Sequence, residues 1–183
     1  RVIPIDAKTK VLDVGCGNGF FTYHFDKIAN VFGVDYSATM LAMNPVKRTA
    51  LMDARQLGFA DNSFDVVFCH ALLHHVDDDA KVIDEMKRVS RRHVVILEPN
   101  RKNPLMFLFS LLVKEERKAL RFSLPYLTEK IQSRGLLVID AFSFGMITPN
   151  KIPVFLLPLL CRFDARQSLG MTNCIVAEKT MSL

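Results

Sequence analysis

The chain has 183 residues, 50% of them hydrophobic and 23% charged, with a formal net charge of +5. This is the composition of one globular domain with a single core, and it excludes an intrinsically disordered chain. The greasiest runs, 104–113 and 152–161, are far shorter than the ~20 residues that span a bilayer. The surplus charge is uneven: residues 92–183 hold 13 basic and 7 acidic side chains, and 8 of the basic ones fall between Arg101 and Arg134. A basic region of this kind can attract phosphates, acidic small molecules or an anionic membrane surface. No aromatic-basic interleaving suggests a nucleic-acid groove. Cys16, Cys69, Cys161 and Cys174 form no C-x-x-C pair, and no Cys/His cluster has zinc spacing, so no metal is expected. Cys69 and Cys174 sit in apolar strand-like runs and read as small buried residues of a reducing, cytoplasmic compartment. The chain begins at Arg1 with no signal peptide, and a segment preceding it is expected.

In chain order, Lys10–Val14 is a β-branched strand, and 20–29 reads as a helix with Phe20, Phe21, His24, Phe25 and Ile28 at helical spacing. Val31–Asp35 is a second strand. Ser37 caps a short helix through Met43, and 47–52 is a third strand. Phe64–His70 is apolar on both faces, as a central parallel strand should be. Residues 77–90 form a helix with its acids in the N-terminal turn, and His93–Glu98 is a fifth strand closed by Pro99. Asn103-Pro104 starts a helix running to about Phe122. A further helix, 124–134, stops at Gly135. Residues 136–144 and 171–179 are the last strands. Gly145 to Gly170, with Pro149, Pro153 and Pro158, is too apolar for a plain loop and too rich in proline for one helix. The alternation of strands and helices is that of a doubly wound, mostly parallel α/β sheet with helices on both faces.

The strongest motif is Val11-Leu12-Asp13-Val14-Gly15-Cys16-Gly17-Asn18-Gly19-Phe20, a strand running through a glycine-rich turn into a helix. Its G-x-G-x-G is not the G-x-G-x-x-G of a dinucleotide site. Asp13, two residues before the first glycine, would repel a pyrophosphate and welcome a cation. Asp35, at the end of the second strand, suits the two hydroxyls of a ribose. Asp53-Ala54, after the third, suits an exocyclic amine and a ring nitrogen. Nothing provides for a diphosphate, so a cationic nucleoside fits better than NAD or ATP.

On the stretches VLDVGCGNGFFT, GVDYS with Met40 following, LMDARQLGFADNSFDVVFCHALLHHV and DEMKRVSRRHVVILEPN, the sequence resembles the class I S-adenosylmethionine-dependent methyltransferases, in the small-molecule "type 11" group. The resemblance covers nearly the whole chain. It implies a Rossmann-like sheet of seven strands with an antiparallel last strand, in one domain whose residues 1–100 bind cofactor and 101–183 bind acceptor. It further implies that Asp13 and the backbone of Gly15, Cys16, Gly17, Asn18 and Gly19 hold the methionyl end of S-adenosyl-L-methionine, that Asp35 binds the ribose, and that Tyr36 and Met40 pack on the adenine. Asp53 and Ala54 would read its amino edge, and His70 would offer its backbone near the amino group. The family's helical cap before the first strand is expected to be missing, since only nine residues precede Lys10.

Methyl transfer from a sulfonium needs the nucleophile, methyl and sulfur in line, and a hydroxyl or acidic carbon also needs a base. Candidates are His70, His74 and His75, of which at most one of the last two is expected to face the cleft, and Glu98, which either positions an acceptor or caps the Asn100–Asn103 turn. His24 and His93 read as structural. Phe107, Phe109, Phe122, Tyr126, Phe155 and Leu156 form a candidate apolar slot, with Arg101, Lys102, Arg117 and Arg121 at its mouth. That slot suits an amphipathic or lipid-like acceptor. The [DN]-P-P-[FYW] motif of amino-directed nucleic-acid methyltransferases is absent after the fourth strand, where Cys69-His70-Ala71-Leu72 stands. The expected activity is therefore methyl transfer to oxygen or carbon of a small or amphipathic metabolite. The alternatives are a non-catalytic cofactor-binding subunit and, against the acid before the glycine loop, a nucleotide-dependent oxidoreductase.

Overall fold

The structure is a computed structural model, and it describes residues 3–145 and 166–180. Seven strands form one sheet: β1 (Lys10–Val14), β2 (Asn30–Asp35), β3 (Thr49–Leu51), β4 (Phe64–His70), β5 (Ser90–Pro99), β6 (Leu136–Phe144) and β7 (Thr172–Lys179). Their order is β3-β2-β1-β4-β5-β7-β6. The first five are parallel, and β7 runs antiparallel between β5 and β6. The helices are α1 (Phe20–Asp26), α2 (Ala38–Met43), α3 (Asp79–Val89), α4 (Pro104–Leu112) and α5 (Leu124–Gln132), with 3-10 segments at Leu73–His75 and Lys114–Arg121.

Strand alternation divides the core between the two faces of the sheet. Val67 and Cys69 of β4 join Leu12, Val14, Val94 and Ile96 under Val82, Ile83, Met86 and Val89 of α3 and Leu127 and Ile131 of α5. Phe68, one residue out of phase, packs with Phe21 and Phe25 of α1 on the opposite face. Cys16, Cys69 and Cys174 are buried and unpaired, as expected of the latter two; Cys161, Phe155, Leu156 and most of the Gly145–Gly170 segment lie outside the described residues.

Several elements differ from expectation. The first helix stops at Asp26, with Ile28 beyond it exposed, and Phe20 at its start is exposed as well. The third strand keeps only three residues at the sheet edge. The helix expected from Pro104 to Phe122 breaks at Val113, which is extended (φ −97°, ψ 115°). The break turns the chain so that Ala119 and Phe122 enter the core, while Leu105, Phe107, Leu108, Phe109, Leu111 and Leu112 of α4 remain exposed. Phe122 is thus a core residue beside Tyr126 and His74, not the wall of an open slot.

Candidate functional site

The parallel strands deliver their C-terminal residues to one edge of the sheet: Asp13 and Val14 from β1, Asp35 from β2, His70 from β4 and Glu98 from β5. Two adjoining cavities open there, sharing Gly15 and His75. The larger, about 700 Å³, is lined by Asp13, Gly15, Cys16, Gly17, Asn18, His70, His74 and His75, with Phe21, Met106 and Glu116 beside them. The smaller, about 320 Å³, is lined by Gly15, Asp35, Tyr36, Asp53, Ala54 and His75, with Arg55, Leu72 and Asp77.

The glycine loop is tied to the second strand by its backbone. Gly15 N–H and Cys16 N–H both donate to the Val34 carbonyl. Gly17 N–H donates to one carboxylate oxygen of Asp35 at 2.8 Å, and Ser37 N–H donates to the other at 2.8 Å. Asp35 thus fixes the loop, and each of its oxygens retains accepting capacity toward the small cavity. Gly15 has φ +71°, and a Cβ there would lie 2.9 Å from Leu72 Cδ1. Gly17, at φ +52°, has only Met40 Cε near the place of a Cβ, at 3.4 Å, so its backbone is bare toward the cavity.

Asp13 is buried and accepts a 2.6 Å hydrogen bond from Thr22 Oγ1. Burial pushes its carboxyl up to about 6, a shift opposed by the Thr22 bond and reinforced by the charge of Asp35. Asn44, itself buried, reaches Thr22 Oγ1 and Cys16 Sγ, which steadies the carboxylate from behind. The Cys16 thiol is pushed up to about 12 by burial and by these two acids, so it is no nucleophile at neutral pH. Asp53 is taken by a fork from Arg55, with Nη2 at 2.6 Å, and the pairing holds its carboxyl below the usual range.

Across the cleft, Ala71 adopts a left-handed conformation (φ 51°), uncommon for a residue with a Cβ, immediately after β4. The chain then folds into the 3-10 turn Leu73–His75, which Glu98 holds from beneath. One Glu98 oxygen accepts from Leu72 N–H at 2.9 Å and Leu73 N–H at 2.7 Å, and the other lies 2.6 Å from His74 Nδ1. Glu98 is fully buried and lines neither cavity. It therefore positions His74, which corrects both roles expected of it. The expectation that at most one of His74 and His75 faces the cleft is also corrected: the tight turn brings the two ring centroids to 4.0 Å, tilted by 44°, and both residues line the larger cavity. Burial depresses His74, but the hydrogen bond and charge of Glu98, with Glu116 behind them, outweigh it and hold the imidazole above its ordinary value. Burial leaves His70 and His75 below theirs.

Gly19 and Met40 line neither cavity, and Gly19 serves as the left-handed cap of α1. Sequence reasoning missed Thr22, Asn44, Arg55, Met106 and Glu116. Arg55 follows Asp53 by two residues and was open to notice. Glu116 lies 41 residues beyond His75 and joins it only because two 3-10 segments pack together; no spacing signals that.

Residues 12–97 match the family model of a methyltransferase domain. That match covers a little under half of the chain, and over it the chain is similar to methyltransferase domains. A phosphatidylethanolamine N-methyltransferase of Cereibacter sphaeroides is 37% identical over 93 residues, covering 45% of this chain and 46% of that protein. A ubiquinone biosynthesis O-methyltransferase of Pseudomonas aeruginosa is 33% identical over 120 residues, covering 60% and 52%. A demethylmenaquinone methyltransferase of Staphylococcus aureus is 37% identical over 92 residues, covering 44% and 38%. The chain thus spans only about half, or less, of the length of these relatives. In fold it is similar to an S-adenosylmethionine-dependent methyltransferase of Thermotoga maritima (TM-score 0.78, 19% identity, 97% of this chain and 84% of that one) and to one of Archaeoglobus fulgidus (TM-score 0.73, 18% identity, 96% and 88%).

Proposed function

We propose that this domain binds S-adenosyl-L-methionine across the two cavities and transfers its methyl group to an oxygen or carbon of a small, amphipathic acceptor. The observation that carries the reading is the pair of cavities meeting at Gly15. The smaller has Asp35 and Asp53 on its wall and the larger has the buried Asp13. The residues present fit the cofactor: Asp35 would hold the ribose, Tyr36, Asp53 and Ala54 would surround the adenine, and the bare backbone at Gly17 and the carboxylate of Asp13 would receive the charged methionyl end. Met40 acts at one remove, by packing against the glycine loop. Bound there, the cofactor supplies an electrophilic methyl on a cationic sulfur.

The chain's own part is orientation and proton handling. The larger cavity continues past Gly15 toward His70, Met106 and the 3-10 turn, and an acceptor held there would be oriented toward the methyl group of a bound cofactor. His70, its ring centroid 4.8 Å from that of Phe21 and its imidazole depressed by desolvation, is neutral at working pH and can receive the proton of a hydroxyl or acidic carbon. The acceptor half begins at Arg101. Quinone- and phospholipid-directed relatives support a lipid-like acceptor. So does α4, whose exposed apolar residues lie between Arg101-Lys102 and Lys114, Arg117, Lys118 and Arg121, a surface suited to peripheral contact with an anionic membrane. Among the described residues no helix is long and apolar enough to cross a membrane. The unpaired buried cysteines support a cytoplasmic setting.

Calorimetry with S-adenosylhomocysteine and NAD tests the cofactor, and incorporation of labelled methyl from S-adenosylmethionine into quinol or phospholipid acceptors tests the reaction. Tight binding of the homocysteine product and label in an amphipathic acceptor are expected. Binding of NAD alone overturns the reading, and tight cofactor binding with no label in any acceptor leaves a binding module without catalysis.

A further inference from the structure

The wall of the larger cavity carries a group of side chains that cofactor binding does not use. His74 Nε2 lies 3.2 Å from one oxygen of Glu116, and His75 Nε2 lies 3.9 Å from the other. One ligand atom from each of the three residues falls within 4.8 Å of the others. Ligands about 2.0–2.1 Å from a tetrahedral zinc ion stand roughly 3.3 Å apart, so shifts of an ångström or so would bring all three atoms onto one ion.

Two independent features point to a cation there. The first is Glu98. It is fully buried and grips His74 Nδ1 at 2.6 Å, the carboxylate-histidine arrangement that orients a metal-binding imidazole and raises its basicity. With Nδ1 engaged by Glu98, Nε2 is the ring nitrogen directed at a carboxylate oxygen of Glu116, and a metal ion entering between them would take the place of the proton this pair otherwise shares. The second is charge. Glu116 brings a carboxylate to the wall of the larger cavity and Glu98 lies buried behind His74, and among the described residues neither is paired with a lysine or arginine. Lys118, the basic residue two positions beyond Glu116, is engaged by Asp77 at 2.6 Å.

The geometry points to a divalent transition-metal site, with zinc the best match, formed by His74 Nε2, His75 Nε2 and the Glu116 carboxylate, with Glu98 as the outer partner of His74. Two imidazoles and one carboxylate are a donor set that zinc accepts while keeping a fourth position open. That position would face the larger cavity, where an anionic oxygen ligand would complete the coordination. The site stands apart from the cofactor reading, because none of its three ligands is assigned to hold the nucleoside.

The test uses the tag-free chain, stripped of metal by chelator and titrated with zinc and with cobalt alone. One ion per chain is expected, together with visible cobalt absorption of a tetrahedral nitrogen-oxygen site and no thiolate charge-transfer band. His75→Ala and Glu116→Gln alter partly exposed side chains, and their thermal melts without metal are read alongside to confirm folding. Each is expected to weaken zinc binding at least tenfold, and Glu98→Gln by 10- to 100-fold. Zinc affinity unchanged in folded His75→Ala and Glu116→Gln, a cobalt spectrum dominated by thiolate, or no stoichiometric binding overturns the proposal. Binding of S-adenosylhomocysteine, measured in the same preparations, reports separately on the cofactor reading.

Discussion

Glu98 Oε2 lies 2.6 Å from His74 Nδ1, with both side chains sealed from solvent. The same carboxylate accepts two backbone N–H groups, so it fixes both the turn after β4 and the tautomer of the histidine the turn presents. In Glu98→Gln the amide oxygen can still serve Leu72 and Leu73, but its NH2 must face His74. The imidazole proton then moves from Nδ1 to Nε2. The expected cost is about 1.5–3 kcal/mol, the scale of a hydrogen bond to a charged group, read by urea denaturation. Nitrogen-15 spectra of labelled histidine should show the change of tautomer. An unchanged tautomer would contradict the positioning role.

Asp13 sets a pH dependence of the opposite kind from a salt-bridged acid. Its carboxyl is raised to about 6 in the fold, chiefly by burial, so the folded state binds a proton that the unfolded chain has already released. Stability contributed by this group is complete below about pH 4 and is lost as pH rises through 6, by about 3 kcal/mol in all. Asp13→Asn removes the buried charge and keeps a partner for Thr22. It should melt higher than the parent at pH 7.5, and the two should converge near pH 4. The same variant is expected to bind S-adenosylmethionine more weakly, because the cationic end of the cofactor loses its buried counter-charge. A variant that melts alike at both pH values would show that Asp13 is not strained by burial.

How much of this was readable from residue order follows from how local each signal is. Strands and glycine turn announce themselves within a dozen residues. The rule that ligands gather at the carboxyl ends of parallel strands then places Asp13, Asp35 and Asp53 near one another before any coordinate is known. The packing behind them is not local. Thr22 stabilises Asp13 from across the loop, Asn44 reaches back over 22 residues, and Glu116 meets His74 only after the chain has broken at Val113 and turned inward. The break was missed because the run through 104–122 has helical composition throughout, while what ends α4 is the burial of Ala119 and Phe122, a tertiary demand.

Asp35 holds the loop and faces the small cavity, and two substitutions separate these roles. Asp35→Asn keeps one oxygen for the Gly17 or Ser37 N–H, whereas Asp35→Ala strands both. The alanine variant should lose affinity for S-adenosylhomocysteine by roughly 1–3 kcal/mol, the range for lost hydrogen bonds involving a charge. The asparagine variant should fall between it and the parent. Calorimetry measures both. Undiminished affinity in a folded alanine variant would remove Asp35 from the ribose.

His70 is the base candidate that stands clear of the paired carboxylates. His70→Gln keeps a polar side chain of similar reach but cannot carry the proton away. It should lower kcat for a hydroxyl acceptor by 10²–10⁴-fold while leaving S-adenosylhomocysteine affinity within about twofold. A parallel fall in cofactor affinity would show instead that the ring, and not only its backbone, supports the methionyl end.

Helix α4 presents Leu108 and Leu112 to solvent between basic segments. Neither contributes to the described core, so Leu108→Asp with Leu112→Asp should leave the melting temperature unchanged. Burying one leucine side chain in an apolar phase is worth roughly 1.5–3 kcal/mol, and each nearby basic residue adds about 1 kcal/mol at an anionic surface. The parent should therefore co-sediment with phosphatidylglycerol vesicles, lose much of that binding in high salt as the charges are screened, and lose at least tenfold in the double variant. Equal sedimentation of parent and variant would show that α4 is not the membrane-facing surface, and the lipid-like acceptor would then have to be drawn from solution.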